Sequence, residues 1–148
     1  MKNSFYGLVL LAVTLSGAVS ADPIIDACRS FSDFAHVREA CMRRADSVAH
    51  VHACRQASKW PEGRLTCISG RLSIAQINAC TDFSSDLKGR VACFESSRSL
   101  EIISACKGFS KYVDGRAACV RHADSLRDIQ ICQQSYSTLE GRVACIRR

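Results

Sequence analysis

No two of the ten cysteines in this 148-residue chain stand as close as C-x-x-C. Zinc sites are commonly built from such close pairs, so the spacing argues against a metal centre. The four histidines, His36, His50, His52 and His122, occupy unrelated places and supply no second ligand set. Glycines are nowhere clustered ahead of a helix, as a phosphate-cradling loop requires. Lysines and arginines are spread along the chain with no basic tail, which argues against a dedicated nucleic-acid arm. No Ser, His or Cys has a neighbourhood unlike its counterparts, whereas a nucleophile, base and orienting acid would stand out. The expectation is therefore a protein with no catalytic residues, no metal and no cofactor.

A long apolar run occurs only at the beginning. Lys2 gives a positive start, Gly7 to Leu15 an apolar centre, and Val19-Ser20-Ala21 a small-residue cleavage site. The stretch is about 17 residues long and contains Thr14 and Ser16, at the short limit for spanning a bilayer. Residues 1–21 are expected to be a secretory signal peptide, and 22–148 the mature domain, with no transmembrane anchor once the signal is removed. Loss of Lys2 takes the formal net charge from +6 to +5. That balance favours anionic surfaces without demanding one. Export places the cysteines where thiols oxidise, so the protein is expected to be secreted or periplasmic.

What the chain has is a ladder. Cysteines stand at 28, 41, 54, 67, 80, 93, 106, 119, 132 and 145, always thirteen residues apart. With Cys placed at position 4, units of 26 residues start at Ile25, Val51, Ile77, Ile103 and Ile129, the last stopping at Arg148. Position 17 is always Cys and position 14 always Arg, namely Arg38, Arg64, Arg90, Arg116 and Arg142. Position 13 is Gly63, Gly89, Gly115 and Gly141 in four units and Val37 in the first.

Each unit reads as two helices. Ser47, Ser73, Ser99 and Ser125 are N-caps for the first, with Gln76 completing a capping box after Ser73, and Asp22-Pro23 starts the first unit. The second should begin between positions 9 and 11 and run to about position 20, Pro61 marking its start in the second unit. Helices of about ten residues are unstable alone and need partners. An antiparallel hairpin sets position 4 opposite position 17 at a separation a disulfide can span. Spacing does not choose between Cys28–Cys41 and Cys41–Cys54. Counting does, because pairing within units uses all ten cysteines and the offset register strands Cys28 and Cys145. The expected bonds are Cys28–Cys41, Cys54–Cys67, Cys80–Cys93, Cys106–Cys119 and Cys132–Cys145.

The fold class that follows is all-α: tandem 26-residue disulfide-stapled helical hairpins stacked as a short α-solenoid. A collapsed helical bundle is the alternative, and the strict period favours stacking. The pattern resembles in outline the helical cysteine-rich repeat proteins of bacteria, which have a longer unit and a different cysteine spacing. The resemblance implies architecture and no activity.

The arginine row has two readings. It can bond the last carbonyls of the first helix while its stem covers the disulfide. Alternatively it forms, with Phe34, Trp60 and Tyr112 one turn earlier, a ladder that grips a linear anionic or sugar ligand, a series that Asp86 and Thr138 interrupt. Recurrent glycine at position 13 implies close helix approach or a turn. The functional expectation is a non-catalytic binding or structural module for a protein or an anionic envelope or surface polymer, with Lys59, Lys88 and Lys111 also on the variable turns. A secreted enzyme, or a thiol-redox protein with a site in one repeat, is the alternative.

Overall fold

The computed structural model describes residues 22–148, and the signal-peptide assignment lies outside them. Among the described residues the chain forms ten α-helices and no strand: α1 (Pro23–Arg29), α2 (Ala35–Arg44), α3 (Val48–Ala57), α4 (Pro61–Ser69), α5 (Ile74–Phe83), α6 (Leu87–Ser96), α7 (Leu100–Lys107), α8 (Val113–His122), α9 (Leu126–Ser135) and α10 (Leu139–Ile146). Every unit is one helical hairpin. The odd-numbered helices begin where the sequence puts their caps. Asp22, Ser47, Ser73, Ser99 and Ser125 each accept a backbone N–H with the side chain, and Ser73 and Gln76 close a capping box. The even-numbered helices all begin at position 11.

The five disulfides join position 4 to position 17 within each unit, with Cα atoms 5.4 to 5.6 Å apart. No cysteine is free. In the chain-entropy account, closing a loop of this length stabilises each hairpin by about 3 kcal/mol. That offsets much of the weakness of seven- to ten-residue helices.

Hairpins stack in two layers. Each odd helix packs on the next odd helix, α1 on α3 through α7 on α9, and each even helix on the next even one, α2 on α4 through α8 on α10. The core lies between the layers. Val51, Ile77, Ile103 and Ile129 at position 1 are buried, as are Phe31, Phe83 and Phe109 at position 7 and Ile68, Phe94 and Val120 at position 18. Full burial of one such side chain stabilises by about 1.5–3 kcal/mol. Ile25 and Met42 hold positions 1 and 18 in the first unit and are exposed there. Those positions therefore face the preceding hairpin, which makes the packing between units as regular as the sequence period.

The glycine at position 13 serves close approach, since no described glycine has a positive φ. A Cβ on Gly89 would lie 2.5 Å from both Cβ and Oγ of the buried Ser84 and 3.0 Å from Cγ2 of Val113 in the next unit. Gly115 stands in the same relation to Ser110 and to Leu139, and Gly63 to Ser58 and Leu87. One small residue thus admits a serine from its own hairpin and an apolar knob from the following one.

Candidate functional site

The turn from the odd to the even helix runs along one edge of the stack and holds the residues singled out in the sequence. Position 10 is the N-cap of each even helix. Asp86 caps α6 by accepting from Lys88 N at 2.9 Å, and Thr138 caps α10 by accepting from Gly141 N at 3.1 Å. Phe34, Trp60 and Tyr112 sit at the same place with no side-chain cap. Each of the three is about half exposed, at 50% to 52%.

A second residue holds the turn where the aromatic does not. The buried hydroxyl of Ser58 accepts from Trp60 N at 3.0 Å, and the half-buried Ser110 hydroxyl from Tyr112 N at 3.0 Å. Ser32 and Ser84 do the same for Phe34 and Asp86. This recurrent serine at position 8 was visible in the sequence and was not singled out there; it is the side chain that a Cβ at Gly63, Gly89 or Gly115 would strike.

The arginines face inward from this edge. Arg64 donates from Nε to Ser58 O (2.8 Å) and from Nη1 to Phe31 O (2.6 Å), 33 residues back in the preceding unit. Arg90 repeats this with Ser84 O (2.6 Å) and Ala57 O (2.7 Å), and Arg142 with Tyr136 O (2.7 Å) and Phe109 O (3.0 Å). Arg116 reaches Phe83 O at 3.2 Å, while its Nε is buried without a partner. Arg38 turns back on its own hairpin, donating to Ser32 O and Asp33 O. The guanidiniums thus saturate carbonyls at the C-terminal ends of odd helices, and four of the five cross from one unit to the one before.

The cations over the rings are lysines. Lys59 Nζ lies 5.0 Å from the Trp60 ring centroid and Lys111 Nζ 4.9 Å from that of Tyr112. Lys88 pairs instead with Asp114 of the next unit at 2.6 Å, both side chains being exposed. Beside Trp60 the second and third units leave a cleft of about 300 Å³. What faces solvent on this edge is therefore a broken row of aromatic rings, two of them carrying an ammonium group, above a row of arginines fixed in the frame.

The remaining candidates do not converge. His36, His52 and His122 are exposed at separate places, and buried His50 has Nδ1 3.0 Å from Asp46 Oδ1. Among the described residues no group of three or more His, Cys, Asp or Glu is placed to hold a metal ion, and no helix is long and apolar enough to cross a membrane. A larger hollow of about 500 Å³ lies between α8, α9 and α10, where Arg121, His122 and Arg147 meet the acids Asp124 and Asp128. Its charges are mixed, with Arg98 near Asp124 (3.6 Å) and Arg121 on Glu95 (3.1 Å). Comparison with protein-family models, with curated proteins and with solved structures finds no match to this chain.

Proposed function

We propose that this protein is an exported, non-catalytic binding module that holds an anionic surface polymer along the edge formed by Phe34, Trp60 and Tyr112. One observation carries the reading. In three of five units the N-cap position holds a half-exposed aromatic residue without a cap bond, while Asp86 and Thr138 show that the same place accepts a capping side chain. An aromatic there forgoes about 0.5–2 kcal/mol of capping and leaves apolar surface in water. The exposed half of each ring does no packing within the fold, and a ligand that stacks on it would give that surface a use.

The charge supports an anionic ligand. Lys59 and Lys111 stand over two of the rings, and the formal net charge is +6 over the whole sequence. Export is supported by the signal-like start and by five intrachain disulfides, which belong to an oxidising compartment.

The test compares the oxidised protein with a Phe34→Ser/Trp60→Ser/Tyr112→Ser variant, serine being both uncharged and a good cap. Chemical denaturation should show the variant as stable as the parent or more so, by about 1 kcal/mol per site. Retention on beads coated with polygalacturonate at about 0.15 M salt, where long-range attraction is screened, should be lost. Equal retention of both proteins would reduce the interaction to net charge and sink the reading. Retention by neither, with capture of a defined protein ligand through the same rings, would make the partner a protein.

A further inference from the structure

We infer, on the basis of that binding edge, that the cleft between the second and third units is a subsite for a sugar-acid residue, with Trp60 as its platform. The cleft holds about 300 Å³ and is lined by Gln56, Lys59, Trp60, Ser85, Leu87 and Arg90, among others. Its walls are of three kinds. Trp60 and Leu87 give an apolar surface, the Trp60 ring flat and half exposed. Gln56 and Ser85, both exposed, bring an amide and a hydroxyl that can donate and accept. Lys59 places an ammonium group over one face of the Trp60 ring, 5.0 Å from its centroid.

A pyranose carrying a carboxylate matches all three. Its C–H face is apolar and stacks on an indole, its ring hydroxyls need paired donors and acceptors around the edge, and its carboxylate needs one cation beside the ring. A polyphosphate would use the cation and leave the platform empty. Arg90 also lines the cleft and adds fixed positive charge, its Nε and Nη1 being held by Ser84 O and Ala57 O. Tyr112 with Lys111 at 4.9 Å repeats the ring-and-ammonium pair two units on. A polymer that engages both crosses the third unit, where Asp86 caps α6 and offers no ring.

Trp60 is the only tryptophan in the chain, so its emission reports on this cleft alone. The experiment titrates the oxidised protein with an oligogalacturonate, with a neutral β-1,4-glucan oligosaccharide of equal length, and with polyglutamate of equal charge. The expected result is a saturable change in Trp60 emission with the oligogalacturonate, and affinity at least about tenfold weaker for the neutral sugar and for polyglutamate. Lys59→Gln should weaken the oligogalacturonate about tenfold, with the circular dichroism and unfolding curve unchanged.

Equal emission changes and affinities for polyglutamate would overturn the sugar-acid assignment. Unchanged emission, with the protein still retained on polygalacturonate through Phe34 and Tyr112, would overturn the subsite and leave the binding edge standing. No emission change and no retention would remove the edge as well.

Discussion

Replacing Arg90 by Met should uncouple the third hairpin from the second. Its guanidinium donates to Ser84 O at 2.6 Å within its own unit and to Ala57 O at 2.7 Å in the unit before. Ser84 and Ala57 are almost completely buried, so water replaces these bonds poorly. A hydrogen bond to a charged group contributes about 1.5–3 kcal/mol net, and two give about 3–6 kcal/mol. Arg90 is itself only part-buried, and Met retains the packing of its stem, so about 3 kcal/mol is the expected loss. In a stacked array the cost falls on the interface between neighbours rather than on the whole chain. Hydrogen exchange of the oxidised protein should show faster amides in α3 to α6 and near-parental protection in α9 and α10. Arg38→Met is the matched control. Arg38 bonds only carbonyls of its own hairpin, and its loss should cost about 1 kcal/mol. Equal effects from the two substitutions, or a loss below about 0.5 kcal/mol at Arg90, would refute the arginine as a tie between units.

Three smaller perturbations test the rest of the frame. Gly89→Ala should cost about 1–3 kcal/mol in denaturant unfolding, because its Cβ would meet Ser84 at 2.5 Å and Val113 at 3.0 Å. Arg71→Gly should raise the unfolding free energy in a denaturant titration by about 0.5–1 kcal/mol, since Arg71 holds a left-handed φ of 51° that glycine adopts freely. The Glu101 carboxyl is held below the usual carboxylate range by its own backbone N–H and by Ser99. Its folded pKa is thus depressed, so its contribution is present above the unfolded pKa and lost as pH falls through the folded value. A carboxyl titration by NMR should place Glu101 lower than in an unfolded peptide, and a normal midpoint would refute the contact.

The ladder of cysteines gave the repeat, the count of ten gave the disulfide register, and the serine caps with Pro61 gave the helix starts. Caps such as Ser47, Ser99 and the Ser73–Gln76 box are local, set by residues three apart, and a local rule finds them. The inward bond of Arg38, Arg64, Arg90 and Arg142 to carbonyls of their own hairpins was also within reach of sequence reasoning. The second bond was not. Phe31 O and Arg64 Nη1 are 33 residues apart, and only the stacking of one hairpin on another brings them to 2.6 Å. The pairing of aromatic rings with arginines one turn on, suggested by helical spacing, gives way to Lys59 and Lys111, because position 10 precedes the helix and its side chain leaves the turn on the outer side.

That geometry separates two tasks that the repeat could have given to the same residues. Position 14 reaches inward and is the same residue in all five units, donating to main-chain carbonyls in each. Position 10 points outward and differs from unit to unit, Phe, Trp, Asp, Tyr and Thr in turn. The serine at position 8 of the first four units makes this freedom possible, because it bonds the backbone N–H of Phe34, Trp60, Asp86 and Tyr112 alike. Once that bond is made by a residue of the frame, an aromatic at the cap lowers stability without opening the turn. Each hairpin can then trade about 1 kcal/mol of capping for a ring in solvent. Where Asp86 and Thr138 stand the trade has gone the other way. The third and fifth units therefore contribute to the stack and not to the aromatic row, and an Asp86→Trp variant should bind a stacking ligand more tightly while unfolding at lower denaturant.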